Sequence, residues 1–266
     1  MERYICLHGH FYQPPRENPW LERIQRQESA YPFHDWNERI QHECYAPNAA
    51  ARMLDDDGRI LRIINNYSRI SFNFGPTLLA WMEFADPDAY HAIIEADRES
   101  VRRFSGHGSA MAQAYGHIIL PLANSRDKRT QILWGIRDFR QRFGRDPEGM
   151  WLPETAVDLE SLDIMAEHGL TFTILAPRQA QAIRAMGDEH WTDVSDERID
   201  PTRAYEVRLP SGRTIAAFFY DGPISRGVAF ERLLERGEHF ADRLAGVFSE
   251  ERDWPQLVHI ATDGET

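Results

Sequence analysis

A chain of 266 residues, 42% hydrophobic and 27% charged, has the balance of one large globular domain and excludes a disordered tract, a collagen-like repeat and a disulfide scaffold. Its 42 acidic and 30 basic residues leave a formal charge of -12, a field that repels phosphate backbones and anionic lipid, so neither nucleic acid nor membrane is the expected partner. No run approaches the roughly 18 apolar residues of a membrane span, and no signal segment precedes Tyr4-Ile5-Cys6-Leu7, which makes the cytoplasm the expected compartment. Cys6 and Cys44 have no C-x-x-C spacing and read as packed thiols.

In chain order, short apolar runs that read as buried strands alternate with longer segments of helical period, the pattern of a parallel sheet with helical crossovers. The first strand is Tyr4 to His8. The segment Phe11 to Asn48 is too long for an ordinary loop, and its seven aromatics between residues 11 and 45, Trp20 and Trp36 among them, suit a loop that builds a binding site over strand ends. Ile70 to Phe74 is the second strand, and Asp86-Pro87 then opens a helix with core face Tyr90, Ile93, Ile94, Val101 and Phe104, ended by Gly106. Ala114 to Leu120 reads as the third strand, followed by a helix capped by Ser125, carrying Ile132, Ile136, Phe139 and Phe143, and stopped by Gly144. Gly149 to Leu152 is the fourth strand, Asp158 caps a helix ending at Gly169, and Phe172 to Leu175 is the fifth strand. Met186 to Ser211 is a polar excursion that ends in a hairpin, Tyr205 to Leu209 against Ile215 to Tyr220, before the last strand, Leu257 to Thr262. No repeat or linker divides the chain, so residues 1–266 read as a single domain.

Four places put unusual polar side chains at the downstream end of a strand, where parallel barrels and open sheets present their active sites. His8 and His10 lie two apart and face one side, with Gln13 close behind; His117 stands within Ala114-Tyr115-Gly116-His117-Ile118. Trp151-Leu152-Pro153-Glu154 holds an acid beside a hydrophobic wall, and Thr262-Asp263-Gly264-Glu265 ends a strand in two acids around a glycine that admits a close approach. Glu154 and Asp263 supply the two carboxyls that glycosidic bond cleavage needs.

These four segments, in this order, resemble the sequence regions of glycoside hydrolase family 57: His8-Gly9-His10-Phe11-Tyr12-Gln13-Pro14, Ala114-Tyr115-Gly116-His117 with Pro121-Leu122, Trp151-Leu152-Pro153-Glu154, and Thr262-Asp263-Gly264-Glu265. The resemblance implies a distorted seven-stranded (β/α) barrel of the glycoside hydrolase and deacetylase type. It implies a retaining double displacement on α-glucans, of amylase, 4-α-glucanotransferase or branching type, with Glu154 as nucleophile and Asp263 as general acid/base and with no metal or cofactor. His8, His10, Gln13, His117 and Glu265 are then expected to contact sugar hydroxyls, and Trp151, Trp20 and Trp36 to pack on sugar rings. Asp263 is expected to have a raised pKa, being a second acid near Glu154 and beside Trp151.

Family members continue past the position of Thr266, so C-terminal helices are expected to be lacking here, leaving barrel surface uncovered and the chain prone to association. Two alternatives remain at this stage. One is a metal-dependent polysaccharide deacetylase with a zinc site of His8, His10, His117 and Asp263; the other is a catalytically silent glycan-binding barrel.

Overall fold

The computed structural model describes residues 2–266 and is mixed α/β, with eight strands and six helices positioning the site. The strands are β1 (Arg3–Phe11), β2 (Ser71–Phe74), β3 (Ala112–Gln113), β4 (Met150–Trp151), β5 (Phe172–Leu175), β6 (Ala204–Arg208), β7 (Thr214–Phe219) and β8 (Gln256–Asp263). Seven run parallel in the spatial order β8, β1, β2, β3, β4, β5, β7, joined by ladders or by single bridges at Phe72–Ala110 and Gly149–Phe172. The eighth, β6, pairs antiparallel with the free edge of β7 and forms the hairpin that the polar excursion predicts. Between β7 and β8, the Asp221 amide just past β7 donates to the His259 carbonyl at 2.8 Å.

The helices are α1 (Pro76–Ala85), α2 (Pro87–Arg103), α3 (Ser125–Phe143), α4 (Leu159–Glu167), α5 (Gly222–Phe230) and α6 (Gly237–Ala245). Their ends follow local chemistry. The Asp86 carboxylate accepts from the Ala89 amide at the start of α2, Asp158 does the same for Ser161 in α4, and Gly144 closes α3 at φ 70°. Ser125 is not the cap of α3 as expected; Asn124, one residue earlier, accepts from the Asp127 amide, and Ser125 is the first helical residue.

The helical faces cover the outside of the strands. Ile93 and Ile132 are fully buried in a core that also takes in Phe72, Met150 and Met165, and each such side chain contributes about 1.5–3 kcal/mol by leaving water. A second cluster packs Ile224, Val228 and Leu244 of α5 and α6 against Val258 and Ile260, so the outer face of β8 is covered rather than bare. Exposed apolar residues include Tyr4 and Ile5 of β1, Phe230 at the end of α5, and several on a hairpin, Ala51–Leu54 against Ile60–Ile64, that the apolar pattern does not announce.

The third strand departs from expectation. Pairing with β4 occupies Ala112–Gln113, and Ala114 to Leu120 is loop and turn, because the backbone turns out of the sheet and His117 takes a left-handed φ of 53°. The long aromatic segment also holds structure, with helical turns from Trp36 to Ala49. Among the described residues no helix is long and apolar enough to cross a membrane.

Candidate active site

The parallel register decides which side chains meet. His8 pairs with Ser71 and Ala261, and His10 pairs with Asn73 and Asp263, so these residues share one face across β8, β1 and β2. Gln113 and Trp151 pair across β3 and β4. The downstream ends of β4, β5, β7 and β8 then open on a cleft of about 680 Å³ whose lining includes Trp151, Glu154, Arg178, Tyr220, Thr262 and Asp263.

Glu154 sits on a turn, Pro153–Thr155, with its neighbours Leu152, Pro153 and Thr155 buried and its own side chain exposed to the cleft. Its φ is 57° and that of Thr155 is 51°, two successive left-handed non-glycine residues that cost on the order of 1–3 kcal/mol each. The strain is held by a Gln179 side-chain amide donating to the Thr155 carbonyl at 2.6 Å and by the buried proline. Such a turn aims one carboxylate while its flanks are locked into the core.

Asp263 ends β8 on the other side of the cleft, 109 residues further along the chain. Burial raises its pKa above the usual carboxylate value, the negative charge of Glu154 raises it further, and His117 opposes both. Gly264 follows because the Phe11 ring lies where a side chain would go: a Cβ there would stand 2.2 Å from it. The close approach inferred at this glycine is therefore to a neighbouring ring of the protein.

The three histidines form one hydrogen-bonded column. His8 meets the Ser71 hydroxyl at 2.9 Å through Nδ1 and the Asn73 carbonyl oxygen at 3.0 Å through Nε2; Asn73 Nδ2 donates to His10 Nδ1 at 2.8 Å; His10 Nε2 lies 3.0 Å from His117 Nε2. Burial lowers His8 to about 4 and His10 to about 3, so both rings are neutral near pH 7. Burial also lowers His117, against the charges of Glu154 and Asp263. The rings of His8 and His10 each stack on Trp151 with centroids 5.0 Å apart, and Tyr12 stacks on His117 at 3.7 Å.

The expected contacts divide accordingly. Trp151, Glu154 and Asp263 line the cleft, and His10 and His117 stand next to it through the column and the Trp151 stack. His8 is buried with both ring nitrogens engaged by protein, a supporting position that leaves it no free nitrogen for a sugar. Gln13 accepts from Arg16 at 2.7 Å. Trp20 projects into solvent at 90% exposure, and Trp36 donates to Ser29 under the Arg39 guanidinium; neither lines the cleft. Glu265 turns away from it, accepting from the Tyr12 amide at 3.1 Å and from the Tyr45 hydroxyl, and burial first, then the Asp263 charge, raises it to about 7. Cys44 beside it is pushed up to about 12 and Cys6 to about 11 by burial, as packed thiols are.

Sequence reasoning passed over Tyr12, Asn73, Gln113, Arg178 and Tyr220. Arg178 and Tyr220 follow the ends of β5 and β7, and the rule that picked out Glu154 and Asp263 picks them out too. Asn73 and Gln113 carry no such signal, being ordinary polar residues in short strands. As for a zinc site, among the described residues no group of three or more His, Cys, Asp or Glu side chains stands where it could hold a metal ion.

Residues 8–266 match the sequence profile of glycosyl hydrolase family 57. Over 107 residues the chain is 28% identical to Alpha-amylase 1 of Dictyoglomus thermophilum, covering 40% of this chain and 15% of that protein. Among solved structures it is similar to an exo-type maltose-forming amylase from Pyrococcus sp. ST04, with a TM-score of 0.68 at 18% identity over 100% of this chain and 43% of the other. It is also similar to the 4-alpha-glucanotransferase of Thermococcus litoralis, with a TM-score of 0.65 at 18% identity over 100% of this chain and 34% of the other. The chain thus spans less than half the length of each of these three proteins. With the four motifs, their placement at strand ends and the profile match over nearly the whole sequence, the chain belongs to glycosyl hydrolase family 57.

Proposed function

We propose that this chain carries the catalytic domain of a retaining enzyme acting on α-linked glucans, hydrolysing them or transferring glucosyl units, through a covalent intermediate on Glu154. The observation that carries the reading is one cleft with two carboxyls in unlike surroundings: Glu154 exposed on a strained turn, Asp263 with a pKa raised by burial and by Glu154. The relatives' names, amylase and 4-alpha-glucanotransferase, supply the substrate class.

In this mechanism the two carboxyls stand roughly 5–5.5 Å apart across the bond to be cleaved. Asp263, kept protonated to higher pH than an ordinary aspartate, gives its proton to the leaving oxygen as Glu154 attacks the anomeric carbon. Asp263, now a carboxylate, then takes a proton from the incoming water or sugar hydroxyl, which displaces Glu154 and restores the anomeric configuration. Trp151 offers an apolar wall, and the neutral His117 meets hydroxyls as a hydrogen-bonding group without adding a fixed charge. The expected location is the cytoplasm.

Amylose, glycogen and maltooligosaccharides incubated with the enzyme and with Glu154→Gln, followed by reducing-end assay and mass spectrometry, test this. Shortened, redistributed or branched glucans that vanish in the variant support the reading. Untouched glucans with the unaltered enzyme contradict the substrate class.

A further inference from the structure

The hydrogen-bonded column behind the cleft has a direction. Asn73 is fully buried and uses its whole amide: the carbonyl oxygen faces His8 Nε2, and Nδ2 faces both His10 Nδ1 and, at 2.6 Å, the carbonyl oxygen of Gln113. An amide nitrogen only donates, so His10 Nδ1 is an acceptor and the His10 proton resides on Nε2. That proton points at His117 Nε2, which must accept, leaving the His117 proton on Nδ1. At the other end, His8 Nε2 donates to Asn73, so His8 Nδ1 accepts from the Ser71 hydroxyl. Each donated proton meets one acceptor, and the column runs in a single sense from Ser71 to His117. A proton added to His10 Nδ1 would face the Asn73 amide donor.

We propose that Asn73 is a positioning residue: it sets the tautomer of His10 and, through it, the tautomer and orientation of His117 beside Glu154 and Asp263. The same column holds His8 and His10 in the stack against Trp151, three residues before Glu154, so the apolar wall of the cleft rests on it as well. Gln113 assists by accepting the second Asn73 proton, which fixes the orientation of the amide. The kinetic part of this proposal rests on the α-glucan reading above; the tautomer part does not.

Asn73→Asp is the test, since it preserves size while replacing the donor by an acceptor. The aspartate draws the His10 proton to Nδ1, His10 Nε2 becomes the acceptor, and His117 must present its proton on Nε2. Long-range proton–nitrogen correlation spectra of the labelled enzyme read these tautomers without any substrate. Expected in the unaltered enzyme at pH 7 are His10 protonated at Nε2 and His117 at Nδ1; expected in Asn73→Asp is the reverse for both. On maltooligosaccharides kcat is expected to fall roughly tenfold to a hundredfold with KM changed less than about threefold, and the acidic limb of the pH profile moves upward because a carboxylate now stabilises a His10 imidazolium. A folded Asn73→Asp enzyme with unchanged tautomers, or with exchanged tautomers and unchanged kcat and pH profile, overturns the proposal. Should that variant not fold, the unaltered enzyme still decides, because a His10 proton on Nδ1 is incompatible with it. An unaltered enzyme inactive on glucans counts against the substrate reading and leaves the tautomer assignment to the spectra.

Discussion

Replacing Glu265 by glutamine is expected to stabilise the protein above neutrality and to leave it nearly unchanged in acid. The carboxyl is buried against Tyr45 and Tyr12, and its pKa rises from 4.5 to about 7. The folded state therefore holds a proton that the unfolded chain releases above 4.5. The contribution to stability is fully present below pH 4.5 and is lost as pH climbs through about 7, where the carboxylate must stay buried. At 1.36 kcal/mol per pH unit the loss is on the order of 3 kcal/mol. Glutamine keeps a carbonyl oxygen for the Tyr12 amide and the Tyr45 hydroxyl and carries no charge. Urea denaturation of both proteins at pH 5 and pH 8 measures the effect: similar midpoints at pH 5, and a gain of about 2–3 kcal/mol for Glu265→Gln at pH 8. The comparison cancels other titrating groups, because they are common to both proteins. An equal difference at the two pH values would refute the idea that a buried, protonated carboxyl underlies Tyr12 and the His117 stack.

Other consequences follow from named contacts. His8 and His10 have folded pKa values below the unfolded value of 6.5, so their contribution to stability is present above pH 6.5 and is lost as pH falls toward 4 and 3; an acid titration followed by circular dichroism should show stability declining in that window, and a flat profile there would contradict the burial of neutral rings. In Glu154→Gln the Asp263 carboxyl should titrate at lower pH by carbon NMR, since one cause of its raised value is gone, and an unmoved midpoint would show that the two acids do not face one another. Gly135→Ala in α3, which by helix propensity alone would gain about 1 kcal/mol, should instead destabilise by roughly 1–3 kcal/mol, because its Cβ would stand 2.0 Å from the Gln113 carbonyl oxygen; a raised melting temperature would rule out that close approach of helix to β3. Asp97→Ala should lose about 3–5 kcal/mol in urea, since the buried Asp97 accepts twice from Arg145 at 2.8 Å and once from the Ala110 amide, and a loss below 1 kcal/mol would mean the pair is solvated.

The framework of the fold was legible because its signals are local. Asp86, Asp158 and Gly144 end helices by their own hydrogen bonds and φ values, and the runs at Ile70 to Phe74 and Phe172 to Leu175 have no reading as a surface. The run at Ala114 to Leu120 misled because Leu120 is apolar for burial in a turn, and apolarity reports burial rather than pairing. The exposed hairpin around Met53 and Ile63 went unseen for the converse reason: its apolar residues face solvent.

At the site, the strand-end rule brought Glu154 and Asp263 to one cleft, since topology alone places strand ends together. Aromatic density pointed to Trp20 and Trp36, yet Trp20 projects into solvent and Trp36 lies under Arg39 away from the cleft; stacking on a sugar requires a ring orientation that composition does not encode. The roles of His8 and Asn73 were invisible because they depend on the register of β1 on β2, which pairs His8 with Ser71 and His10 with Asn73.

Mass spectrometry of intact Asp263→Asn after incubation with α-glucosyl fluoride tests for the covalent intermediate on Glu154. The fluoride leaves without needing a proton, so the first step survives the substitution while the second lacks its base. The expected result is a mass increase of one glucosyl residue, located on Glu154 after digestion. An enzyme that turns over glucans with inversion of anomeric configuration, or a glucosyl adduct on any other residue, would contradict it.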